Sequence, residues 1–287
     1  MKRLVPFGLL ALCACQPTPE EAPEVLDCQG GGDTQLLLLS QIAFPREVDG
    51  VSPGFDLDGE VTEAGGVSGC GVADMTSPTG ETGIDNAFAR LRPALDLTEA
   101  SALELIIQEA INSGGLLATV QLDDLHHPTD DQCVDLTVKG ALGEPLIGAD
   151  GIPLPGQTFD PDPSTEPSVL TDLVLSAGEV EGGPVDMSLP FFFLDADVVF
   201  EITNSRIRMT QDAEGNWTGV LGGGLPTQAL QDLAYNTGIG EEVEQLLDSL
   251  LGLVADLNPD ENGECQDISV TLEFEAVPAF WFNASDY

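Results

Sequence analysis

The sequence predicts a mainly β domain with helical insertions, an α+β fold built as an antiparallel β-sandwich-like domain. Three observations carry that expectation. Short apolar or alternating stretches of strand length recur along most of the chain. Clusters of Pro, Gly and Asp separate them, as turns do. Helical periodicity is confined to two regions, 96–114 and 225–255.

The first core strand is read at 35–44, QLLLLSQIAF, an apolar run of strand length. Residues 50–86 follow as an acidic, turn-rich stretch that fits neither helix nor long strand. A segment of that length without regular structure is uncommon inside a domain and tends to be functional. Something other than an apolar core should hold it, and Cys70 together with a cation would serve. The clearest helix is 96–114. Asp96 can cap it with Glu99 as a capping box, Leu103, Ile106, Ile107, Ala110 and Ile111 form one face, and Gly114 and Gly115 end it. Strands are then expected at 116–122, 134–141, 170–177, 185–192, 197–209 and 217–221, with a hairpin turn at 212–215. Helix returns over 225–255, where Pro226 starts one segment and Gly238 stops it. Val243, Leu246, Leu247, Leu250, Leu251 and Val254 form the face of a second segment. A last strand is read at 268–276.

Residues 1–14 read as an export signal. Lys2 and Arg3 precede a short apolar run, well below the roughly 20 residues that span a bilayer. Leu12-Cys13-Ala14-Cys15 resembles a bacterial lipobox. That resemblance implies a diacylglycerol thioether on Cys15, removal of residues 1–14 and a lipid anchor; Gln16 after the lipid site favours the outer membrane, on either face. Residues 15–33 read as the lipidated cysteine and an extended acidic, Pro-containing tether, and 34–287 as a single β-rich domain.

The chain carries 50 acidic against 8 basic side chains, a formal net charge of −42. Loss of Lys2 and Arg3 with the signal would make it more acidic still, with Lys139 the one remaining lysine. Such a surface repels nucleic acid and anionic headgroups, so neither is an expected partner. It fits adaptation to salty surroundings, specific binding of divalent cations, or both. Cys28, Cys70, Cys133 and Cys265 remain after processing, an even number that suggests two disulfides; three pairings are open, and the one favoured is Cys28–Cys265 with Cys70–Cys133. Zinc is disfavoured, since no C-x-x-C pair exists and the two histidines, His126 and His127, are adjacent.

The segment PGFDLDG with the Cys70, Asp74, SPTG and GIDN block, VLGGGLP at 220–226, and GECQDISVTLEFEAVPA at 263–279 together resemble a family of acidic lipoproteins of myxobacterial type, found in predatory and fruiting-body-forming bacteria. The likeness covers about half the mature chain. It implies a shared exported domain and no particular activity.

Calcium is the ligand the residues suggest. The main constellation is Asp256, Asn258, Asp260 and Asn262 before Gly263, closed by Asp267. Oxygens at alternate positions of a wrapped loop suit a cation that takes six to eight oxygen ligands. The loop resembles those of EF-hand and dockerin-like modules, although Gly263 and Asp267 do not fall in one consistent register; a solvated Asn/Asp turn is the plainer alternative. The second constellation is Asp56-Leu57-Asp58-Gly59 with Asp74, and with Asp85 and Asn86 further on; a β-turn and a helix cap near 85 would explain it equally. His126 and His127 among acidic residues read as a polar loop. Gly222–Gly224 lacks the Lys-Ser/Thr of a phosphate loop and reads as a site of close backbone packing. The expected role is a non-catalytic, calcium-stabilised envelope or surface protein in adhesion, scaffolding or envelope structure. An exported hydrolase built on carboxylates, or a lipid or small-ligand carrier with an apolar cavity between sheet and helices, are the alternatives.

Overall fold

The computed structural model describes residues 28, 30–66, 68–193, 196–213, 215–237 and 240–282. Residues 1–27, with the signal and Cys15, lie outside the described residues. The elements run β1 (Asp33–Ala43), β2 (Met75–Thr76), β3 (Thr82–Ile84), α1 (Phe88–Leu95), α2 (Leu103–Asn112), β4 (Ala118–Leu125), β5 (Asp131–Leu142), β6 (Gln157–Pro161), β7 (Ser168–Ser176) and β8 (Glu179–Phe193). They continue with β9 (Ala196–Gln211), β10 (Trp217–Pro226), α3 (Thr227–Thr237), α4 (Glu241–Val254), β11 (Leu257–Pro259) and β12 (Cys265–Trp281). None of the helices among the described residues is long and apolar enough to cross a membrane.

The fold is not a sandwich. Eight strands, β1, β4, β5, β7, β8, β9, β10 and β12, pair in that order, each antiparallel to the next. The ring then closes, because β1 also pairs antiparallel with β12, with Leu36 opposite Ala279 and Ile42 opposite Phe274. A sandwich needs two sheets with open edges; here the first and last strands satisfy each other. β6 lies outside the ring, parallel to the end of β12, and β2–β3 form a separate small ladder.

Alternation places side chains inside and outside this barrel. On β12, Ile268, Val270, Phe274 and Ala276 join the interior with Leu272, while Ser269 and Thr271 are buried on the opposite face. The apolar run of β1 has two buried faces: Leu37 and Leu39 belong to the main core, Leu36 and Leu38 to an outer cluster with Phe159, Val277 and Ala279. That is why it reads as continuous rather than alternating.

The helices gather at one end. Phe88, Leu91 and Leu95 of α1, Ile107, Ala110 and Ile111 of α2, Ala234 of α3, and Val243, Leu247 and Leu251 of α4 all join the interior core. The helix expected over 96–114 is shorter than expected, and Asp96 does not cap it. Thr98 accepts a hydrogen bond from Ala100 N–H in a short turn before α2, and Asp96 instead pairs with Arg46 and with the fully buried Arg92. Arg92 also reaches Glu104, at 3.3 Å, and so ties α1 to α2. α1 is not among the expected helices, and it carries Pro93 inside it.

The disulfides are Cys28–Cys133 and Cys70–Cys265, which corrects the expected pairing. Cys28 precedes β1, whose neighbour β4 forms a hairpin with β5, the strand of Cys133. Barrel neighbours thus bring the two together, with Cα atoms 5.3 Å apart. Cys70 ties the 50–86 segment to the start of β12.

Candidate metal centre

Residues 50–86 lie against the outer wall of the barrel at β9, β10 and β12. Phe55 seats them. A Cβ at Gly222 would come within 2.7 Å of the Phe55 ring, so only glycine there lets the ring reach the sheet. The close-packing reading of the Gly222–Gly224 run fits this contact. The guanidinium carbons of Arg206 and Arg208 stand 5.7 and 5.2 Å from the ring centroid, in cation–π range. Met75, Ile84 and Ala89 add a small apolar cluster of their own.

From this anchor the chain turns through Asp56, Asp58 and Gly59, the last at φ 79°. Asp56 accepts the Gly59 N–H at 2.7 Å, and Asp58 accepts the Glu60 N–H at 2.8 Å. Asp85 arrives from the far end of the segment: its N–H donates to Phe55 C=O, and its carboxylate accepts the N–H groups of Leu57 and Asp58. Asp56, Asp58 and Asp85 thereby present oxygens within 4.8 Å of one another, the one such group of three acidic, His or Cys side chains among the described residues. Asp74 adjoins them. It accepts the Thr62 N–H.

Like charges at this spacing oppose one another. Burial pushes the Asp85 carboxyl up to about 8, with the charges of Asp58, Asp256 and Asp74 adding to the rise against the Leu57 hydrogen bond. Asp74 is also raised, first by burial and then by Asp58 and Asp56. Arg206 donates to the backbone C=O of Asp56, while its ion pair is with Glu181 at 3.2 Å. Beside Asp85, Asn86 is buried and donates to Ser52 Oγ; its Oδ1 meets no donor among the described residues.

The 256–267 constellation is arranged differently from a wrapped cation loop. β11 pairs with β12, with Leu257 opposite Asp267 and Pro259 opposite Cys265, so the stretch is a hairpin. Asp256 points to Ser269, accepting both its N–H and its hydroxyl. Asp260 accepts the N–H groups of Asn262 and Glu264 within its own turn, and Asn262 Nδ2 also donates to it. Asp267 accepts from Thr203 and from the Asn258 side chain. The structure therefore brings together Asp56, Asp58 and Asp85 of the second expected constellation, and leaves Asp74 beside that group rather than in it. It does not draw Asp256, Asp260 and Asp267 to one point. The helix cap considered near 85 is not present: the first turn of α1 receives Ser269 Oγ at Ala87 N–H instead. His126 and His127 lie in a turn, where Asp131 accepts both backbone N–H groups. Comparison with protein-family models, with curated proteins and with solved structures gives no match.

Proposed function

We propose that this chain is a non-catalytic, lipid-anchored cell-envelope protein whose outer-wall segment is locked by a calcium ion, serving adhesion, scaffolding or envelope structure. The observation that carries the reading is the convergence of Asp56, Asp58 and Asp85, drawn from the two ends of a segment with little apolar core. Burial raises the Asp85 carboxyl, a cation beside it would favour its charged form, and an all-oxygen ligand set suits calcium. The two disulfides fit an oxidising, exported compartment.

Titration calorimetry on the disulfide-bonded protein tests the site. Calcium should bind wild type and bind Asp58→Asn at least tenfold more weakly; equal binding by both would remove the site from consideration. The anchor has a separate test. Cys15→Ser should move the protein from the detergent phase to the soluble fraction, and persistence in detergent would overturn that part.

A further inference from the structure

The helical end of the barrel carries a second feature, independent of the carboxylates. A cavity of about 140 Å³ lies between the barrel interior and the helices that cover it. Its wall includes Phe88 of α1, Ile106 and Ile107 of α2, Ile202 of β9, Leu230 of α3 and Ala118 of β4, and every lining residue among the described residues is apolar.

Native interiors seldom keep voids much larger than a water molecule. Water is not expected to stabilise this one, because a buried water needs two to four polar partners and the wall offers no polar side chain among the described residues. An apolar cavity of roughly 150 Å³ is known to stay dry and to admit benzene. An eight-stranded barrel is also about the size at which the interior can either be filled by side chains or hold one small ligand. Here the strands are filled toward the opposite end, by Met209 and Trp217 among others, and the space remains under the helices.

We infer that the cavity is a binding site for an uncharged hydrocarbon group about the size of benzene. Two sources supply that chemistry: a free small hydrocarbon, or the terminal carbons of an acyl chain entering beneath the helices. A charged or hydrogen-bonding group is excluded from the cavity itself, since it would be buried without a partner. Leu105 of α2, one of the helices over the site, is 73% exposed and offers an apolar contact on the outer side.

The test uses the full disulfide-bonded chain with toluene and, separately, decanoate below its micelle concentration, followed by heteronuclear chemical shifts and by melting. Saturable toluene binding that perturbs Ile106, Ile107 and Ile202 is expected. Shifts at the same residues with decanoate assign the acyl source; toluene alone assigns the free hydrocarbon. Ala118→Leu, which fills the cavity from the strand side, should weaken toluene binding at least tenfold. Leu230→Trp, which fills it from the helix side, provides the same test should the first variant fail to fold. Absence of saturable binding by both probes overturns the inference, as does binding that a folded filling variant leaves unchanged.

Discussion

Asp256 is held by a single residue, Ser269, whose backbone N–H and hydroxyl both donate to its carboxylate. Ser269 Oγ in turn accepts the Ala87 N–H at 2.7 Å, so one hydroxyl joins the chain leaving α4, the strand β12 and the start of α1. Asp256 and Ser269 are 5% and 0% exposed. Ser269→Ala should destabilise the fold by about 1–3 kcal/mol, because it leaves a buried N–H without an acceptor and a carboxyl with one donor fewer. Urea unfolding measures this. A midpoint unchanged from wild type would show that the triangle contributes nothing.

The glycine shelf gives a second prediction. Gly222→Ala places a methyl within 2.7 Å of the Phe55 ring, and Gly222 is paired on both sides, to Arg206 and Thr271, so the strand cannot simply move away. Overpacking of this kind costs about 1–3 kcal/mol. The displaced ring should also loosen the Asp56–Asp58 turn that it anchors. Hydrogen exchange at Leu57 and Gly59 is therefore expected to accelerate more than exchange in β5. Uniform acceleration throughout the protein would mean that Phe55 does not hold the segment.

Much of the barrel is legible in the sequence. Each of the eight ring strands coincides with an expected strand, and the helices of 225–255 appear as α3 and α4. Closure is not legible. Alternation tells which face of a strand is buried, but an inward face looks the same whether it meets a second sheet or the far wall of a barrel. The pairing of β1 with β12 joins the two ends of the domain, and no local signal marks it. The candidate site divides in the same manner. Asp56 and Asp58 sit on one visible D-x-D-G turn with Asp85 a downstream candidate, but the pairing of Asp85 N–H with Phe55 and of its carboxylate with Leu57 and Asp58, which brings it to the turn, leaves no local signal. The alternating oxygens of 256–262 are the stronger pattern in the sequence. Pairing of β11 with β12 overrides that pattern by turning Asp256 and Asp260 toward different partners.

The buried carboxyls set a pH profile. Burial, first among the causes, raises Asp85 from an ordinary value of 3.8 to about 8 and Asp256 to about 6. Between those limits the folded protein keeps protons that the unfolded chain has released. Stability of the cation-free protein should therefore be greatest near pH 4–5 and fall as pH rises toward 8. Asp130 and Asp260, lowered chiefly by backbone hydrogen bonds from Ala177 and Glu264, act oppositely below that range but are exposed, so solvent screening weakens their effect. Asp85→Asn should flatten the decline between pH 6 and 8. Melting curves in a chelator across pH 4–8 check this, and a decline of equal slope in wild type and variant would contradict it.

Calcium should reverse that decline. Binding requires Asp85 as its carboxylate, so the ion displaces the proton that burial favours, and the two ligands compete. The stabilisation by calcium is then small near pH 5 and grows toward pH 8, where little free energy is needed to remove the proton. A ligand that binds only the native state adds about 2.7 kcal/mol at a hundredfold excess over its Kd. Magnesium demands stricter octahedral geometry and keeps its waters, so it should stabilise less. Sodium at matched ionic strength should act only by screening the charge of −42, without this dependence on pH. Two substitutions separate the constellations. Asp85→Asn should abolish the difference between calcium and sodium, because it removes the ligand that joins the two ends of the segment. Asp260→Ala should leave the difference in place, because Asp260 serves its own turn through the N–H groups of Asn262 and Glu264. Melting temperatures of the three proteins in millimolar calcium, magnesium and matched sodium chloride at pH 5 and pH 8 decide the matter. If sodium does as well as calcium at pH 8, the acidity of this chain is a solvated surface, and the Asp56–Asp58–Asp85 group is not a calcium site.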